Sequence, residues 1–168
     1  MTEALESIDS LTRSIELPCG AVLKNRLAKS PMSDSLGDGQ GDPTEAQIRL
    51  YERWAEGGIA LSVIGEVQID PRYPEKPGNL VLGADLNQKL FRSLSSRAVI
   101  NGAHLWPQLG HAGALAHPPI SQPKGPSALN VDGLQCSGMT LGDVQELPGL
   151  YSTAALCAKS AGFSGVHI

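Results

Sequence analysis

Three times along this chain an apolar helical stripe stops at a glycine and gives way to a short apolar run, and this alternation constrains the fold more than any other feature. In the first repeat Ile48, Tyr51, Trp54 and Ala55 recur at helical spacing and Gly57-Gly58 ends the helix. Residues 59–64 follow as a near-continuous apolar run, the mark of a strand covered on both faces in a parallel sheet. The second repeat has Asp85 as N-cap, Leu86, Leu90, Leu94 and Ala98 on one stripe, Asn101-Gly102 as the stop, and residues 103–109 as the strand. In the third, Thr140 caps a helix running toward Lys159, Ala161-Gly162 ends it, and residues 163–168 begin another strand. Pro148 removes a hydrogen bond from that helix and clashes with the preceding turn, which predicts a kink or a late start.

Upstream, two short apolar runs at 15–17 and 21–23 flank Pro18-Cys19-Gly20, the pattern of a small hairpin. A first sheet strand is expected over 26–32, finishing near Ser30 because Pro31 cannot donate to a central ladder. The stretch 33–42 is acidic and glycine-rich and reads as a flexible loop; it lacks the Lys-Ser/Thr of a phosphate loop and the closing glutamate of a calcium loop. Pro43-Thr44 with Gln47 then forms a capping-box pattern. The resulting order, β-α-β-α-β-α-β, predicts an α/β fold with a parallel sheet and right-handed crossovers, either an open doubly wound sheet or part of a barrel.

Composition removes several function classes. With 41% apolar and 18% charged residues, and with 19 Gly and 12 Pro, the 168 residues suit one loop-rich globular domain. Net charge is −4 and the 13 Lys and Arg are dispersed, so no nucleic-acid partner is expected. No stretch approaches the ~20 apolar residues of a membrane span, and the polar start lacks a signal-peptide pattern, which predicts a cytoplasmic protein without a membrane partner. Cys19, Cys136 and Cys157 lie far apart and predict buried or idle thiols. His104, His111 and His117 match no common ligand spacing, so no metal is expected.

Working residues of parallel α/β folds gather at the carboxyl ends of the strands. Three places qualify: Ser30 to Ser33, Gly65-Glu66-Val67, and Gln108 to Gly113. Each combines small residues with backbone N–H groups and neutral side chains that suit a planar ligand carrying carbonyl and imide groups. Spacing alone leaves the plain turn-residue reading of these positions open. Arg72 and Tyr73 in the next loop could reach a ligand or pack on the surface, and Trp54 belongs to the core.

Five ordered runs carry a resemblance. They are residues 17–32 ending in Ala28-Lys29-Ser30-Pro31-Met32, residues 50–58 ending in Gly57-Gly58, Pro77-Gly78-Asn79, Gln108 to Gly113 with Gly125-Pro126-Ser127-Ala128, and Met139-Thr140 leading to Ala161 to Val166. Together they resemble the N-terminal half of the old yellow enzyme family of NADH:flavin oxidoreductases. The resemblance implies a partial TIM (β/α)8 barrel of about four parallel strands with an N-terminal β-hairpin plugging its floor. It implies FMN as cofactor, NADH or NADPH as reductant, and an activated alkene or similar small-molecule acceptor. Pro31, Met32 and Ser33 would lie against the flavin, Ser33 bonding its carbonyl; Gly65 would let the ring pass and Gln108 would bond the pyrimidine end. Ala114 in place of the family's Arg, Pro107 within a strand and Pro148 within a helix depart from the pattern.

Residues 1–14 are expected to form a loose N-terminus and 15–168 a partial barrel truncated at the fourth strand. No catalytic residue is assigned on this chain, because the resemblance puts the family's His pair, proton-donating Tyr and phosphate grip beyond Ile168. The isolated chain is therefore expected to bind FMN weakly or not at all. Pairing with a complementing half-barrel or homo-oligomerisation is expected, and a non-catalytic half-barrel acting as a folding or interaction module is the alternative reading.

Overall fold

The computed structural model describes residues 9–168, so the expectation for residues 1–14 falls mostly on residues outside the described ones; residues 9–12 are helical. The strands β1 (Ile15–Glu16) and β2 (Val22–Leu23) pair antiparallel as the expected hairpin. Three strands, β3 (Ala28–Met32), β4 (Leu61–Gln68) and β5 (His104–Gly110), then form a parallel sheet in that order. Helices α1 (Glu45–Glu56) and α2 (Gln88–Ala98) cross over between them and pack on one another. Instead of a full fourth strand, residues 163–168 make a single parallel bridge between His167 and Gln108, with Leu109 N–H donating to His167 O at 2.7 Å.

Alternation along each strand divides the molecule into two apolar clusters. The larger lies between sheet and helices: Ile64, Val67, Leu105 and Leu109 meet Ile48, Tyr51, Phe91, Leu94, Ala154 and Ala158. The smaller lies on the opposite face, where Leu61, Val63 and Trp106 meet Leu23, Ile15 and Leu17 of the hairpin. The hairpin thus closes the amino-terminal end of the sheet's inner face and leaves its carboxyl end open.

Several local expectations change. β3 runs through Pro31 to Met32 instead of stopping at Ser30, because a bulge interrupts its pairing between Lys29 and Met32 and no ladder N–H is needed from the proline. A second bulge between Ile64 and Val67 keeps Gly65 and Glu66 inside β4 instead of in the loop after it. Asn87, not Asp85, caps α2 by accepting from Leu90 N–H. Thr44 accepts from Gln47 N–H, but the Gln47 side chain turns to Asp34, so only half of the first capping box forms. The box at Thr140 is complete, with Asp143 as its returning carboxylate. Helix α3 (Leu141–Ser160) starts there without delay and runs through Pro148.

Between β5 and α3 the chain makes an excursion not foreseen from sequence. It contains β6 (Lys124–Gly125), β7 (Leu129–Val131) and β8 (Leu134–Gly138), with β8 central. Its strands are short and mostly exposed, so they lack the long apolar runs that make strands visible in a sequence.

Candidate functional site

The carboxyl ends of β3, β4 and β5 carry the two bulges, and bulges re-aim side chains at a strand end. The first sets Met32 opposite Ile64 and the second carries the chain from Ile64, opposite Pro107, to Val67, opposite Leu109. Gly65 consequently lies against Met32: a Cβ at position 65 would stand 2.5 Å from the Met32 backbone N and C. The need for glycine is therefore already accounted for by strand packing, beside the ring passage implied by the resemblance. Glu66 follows with φ +57°, a left-handed conformation that costs a glutamate roughly 1–2 kcal/mol.

Two amide side chains clamp this strained residue. Gln108 Oε1 accepts from Glu66 N–H at 3.4 Å, and Gln68 Nε2 donates to Glu66 O at 3.1 Å. The Gln108 amide nitrogen has no protein partner among the described residues. Asn79, buried at the base of the next loop, donates to both Ser33 Oγ (3.5 Å) and Glu66 Oε2 (3.4 Å). The five residues picked from sequence are thereby joined: Pro31 and Met32 end β3 and Ser33 follows it, Gly65 lies against Met32, Gln108 reaches Glu66, and Ser33 reaches Asn79, the partner of Glu66. Met32 leaves its apolar side chain 64% exposed beside them.

Glu66, Glu75, Gln108, His111 and Ile168 line a mouth cavity of about 240 Å³ at this end of the sheet. Burial would raise the Glu66 carboxyl, but bonds from Ser33 and Asn79 and the Lys76 ammonium, 3.6 Å away, outweigh it and hold it below the ordinary value. Burial and the neighbouring Glu66 charge push Glu75 up. His111 is pushed down by burial, against the pull of Asp70, and its ring lies 4.9 Å from that of Tyr73, tilted by 43°.

Behind the Ser33 loop, Asp34 accepts from Tyr51 OH (3.0 Å), Gln47 Nε2 (2.9 Å) and Leu36 N–H (3.0 Å), tying the loop to α1. Burial, with help from Asp34, raises the Tyr51 phenol, so it stays a donor. Lys29 Nζ, its charge disfavoured by burial, reaches Val63 O at 2.9 Å and sits over Tyr51 and Trp54, which is half-buried at the rim of the core. Arg72 does not face the mouth: it forks onto Asp70, a 2% exposed carboxylate, and reaches Glu146 of α3 at 3.1 Å.

Sequence reasoning missed Glu66 as a hub, together with Gln68 and Asn79. Pro77-Gly78-Asn79 is one of the motif runs, but nothing in its spacing says that Asn79 bridges Ser33 and Glu66. Among the described residues no group of three or more His, Cys, Asp or Glu is arranged to hold a metal. The thiols of Cys19, Cys136 and Cys157 are free, with Cys19 exposed, Cys136 buried and Cys157 between.

No family model matches the chain. Among curated proteins it is 30% identical over 155 residues to an NADH oxidase of Thermoanaerobacter brockii, covering 88% of this chain and 24% of that protein. It is also 30% identical over 178 residues to an NADH-dependent flavin oxidoreductase of Hypocrea jecorina, covering 92% of this chain and 44% of the relative. The chain thus spans less than half the length of either. Among solved structures, the old yellow enzyme homologue from Zymomonas mobilis superposes with a TM-score of 0.82 at 23% identity, covering 94% of this chain and 47% of that one. Old Yellow Enzyme from Pichia sp. gives a TM-score of 0.84 at 21% identity, with 94% and 45% covered. In sequence the chain is similar to part of NADH-dependent flavin oxidoreductases, and in fold to part of the old yellow enzymes.

Proposed function

We propose that this chain supplies the FMN-facing strand ends of an oxidoreductase that passes hydride from NADH or NADPH through the flavin to an activated alkene or similar small-molecule acceptor. The observation that carries the reading is the row Met32–Gly65–Gln108 across three adjacent parallel strands, all at their carboxyl ends. The residues present fit such a group. Met32 offers an exposed apolar surface for a flat ring, and Gln108 an amide nitrogen without a protein partner for a carbonyl edge. Pro31 and Ser33 flank this row, and Gly65 keeps it flat. When bound, the flavin supplies the hydride chemistry, while the chain supplies position and electrostatics.

A second reading, a half-barrel acting as an interaction module, draws on the uncovered edges. Among the described residues β3 is paired only with β4, and Met32 and Ile168 are 64% and 77% exposed. Such an edge is a template for another strand, from a complementing half-barrel or a second copy. Among the described residues no helix is long and apolar enough to cross a membrane. We place the protein in the cytoplasm on its three unpaired thiols.

The test is quenching of FMN fluorescence during titration of the 168-residue chain, with Gln108→Ala alongside. Weak, saturable quenching that Gln108→Ala weakens about fivefold to tenfold is expected, the value of one hydrogen bond. Binding that ignores Gln108 overturns the assignment of these strand ends to FMN.

A further inference from the structure

The Glu66 peptide fixes which way two side-chain amides face. Its N–H can only donate, so the end of Gln108 that meets it is the oxygen, at 3.4 Å. Its C=O can only accept, so the end of Gln68 that meets it is the nitrogen, at 3.1 Å. The ends left over are opposite in kind: the Gln108 amide nitrogen, a donor, and Gln68 Oε1, an acceptor. Gln68 closes β4, is 3% exposed and lines the mouth cavity together with Gln108 and Glu66. Its Oε1 is buried and meets no donor among the described residues. Buried acceptors without a donor are rare and weigh against the folded state, so each one calls for a reason.

On the reading that these strand ends hold FMN, we infer that Gln68 is a second flavin-binding residue, whose Oε1 accepts the imide N3–H of the pyrimidine edge while the Gln108 nitrogen donates to a carbonyl beside it. That edge carries its N–H between two carbonyl groups, and N3–H is the sole N–H of the oxidised ring. A site offering donors alone would leave this N–H desolvated and unpaired, which costs affinity. The two free amide ends supply the alternation that the edge requires, a donor from β5 and an acceptor from β4, on strands that pair side by side. The last torsion of a glutamine side chain is broad, so a small turn of the Gln68 amide presents Oε1 to the cavity without moving β4.

The experiment is a double-mutant cycle between chain and ligand, read by quenching of flavin fluorescence. The 168-residue wild type, Gln68→Met and Gln108→Ala are each titrated with FMN and with its 3-methyl analogue, in which a methyl group replaces the N3 hydrogen. Gln68→Met should weaken FMN binding about fivefold to tenfold, the value of one hydrogen bond, and binding of the 3-methyl analogue less than about twofold. Gln108→Ala should weaken both. Unchanged FMN affinity in Gln68→Met overturns the inference, and so does an equal loss for the two flavins, which makes Gln68 a prop for Glu66 and no more. Either result leaves the flavin reading standing while Gln108→Ala still weakens FMN; FMN binding that ignores Gln108 is the failure of that reading instead. A wild type that binds neither flavin overturns the inference as well, because the two amides then do not suffice to hold the edge. Should Gln68→Met lose its native circular dichroism, Gln68→Leu takes its place.

Discussion

Gly65→Ala tests the strand-end packing directly. A Cβ there would stand 2.5 Å from two Met32 backbone atoms and 2.8 Å from its Cα, where ordinary contact begins near 3.4 Å. The shortfall of about 0.9 Å cannot be relieved by a side-chain rotation, since every colliding atom is main chain. β3 must move as a strand, and it is free to do so on one side because among the described residues it pairs only with β4. Overpacking with that partial relief costs about 2 kcal/mol, within the usual 1–3. With urea m-values of about 1–3 kcal/mol/M, the unfolding midpoint should fall by about 1 M. Gly110→Ala serves as the control, because a Cβ there meets nothing within 4 Å and its φ is not positive; its effect should stay within about 0.5 kcal/mol. Equal midpoints for Gly65→Ala and wild type would refute the close approach of β4 to Met32, and with it the row proposed to face the flavin.

Three further outcomes are expected. Gly149→Ala, at an exposed position inside α3 with open space around it, should raise the urea midpoint by the equivalent of about 0.5–1 kcal/mol through the lost flexibility of glycine. Thr140→Ala removes the acceptor for Asp143 N–H and one side of the complete capping box, and calorimetry should register a loss of about 1 kcal/mol. Bonds from Arg97 and Arg49 hold the Glu52 carboxyl down to about 2 from 4.5; a depressed folded value stabilises above the ordinary value and is lost on acidification. Urea midpoints should therefore drop between pH 4.5 and about 2, and Glu52→Gln should flatten that slope.

The sequence by itself determined the alternation of elements. Helical stripes at Ile48–Ala55 and Leu90–Ala98 and the apolar runs after Gly57-Gly58 and Asn101-Gly102 are local patterns, and local patterns report which face an element buries. Pro31, Met32, Ser33, Gly65 and Gln108 could be located near strand ends because those ends follow from that alternation and because the order of motifs resembles a family. Tertiary structure alone decided how those ends meet. The bulges at Pro31 and at Gly65–Glu66 arise from register between strands far apart in the chain, and no single-strand pattern contains them. The same is true of Glu66: a glutamate in a left-handed conformation is held by Gln108, Gln68 and Asn79, which are 42, 2 and 13 residues away. Asn87 displaced Asp85 as cap for a like reason, since the helix begins where its first turn can bury Phe91, and one residue type is as good a cap as the other. Local propensity chose the elements; long-range contacts, which bring groups together only after the chain has folded, chose the geometry of the site.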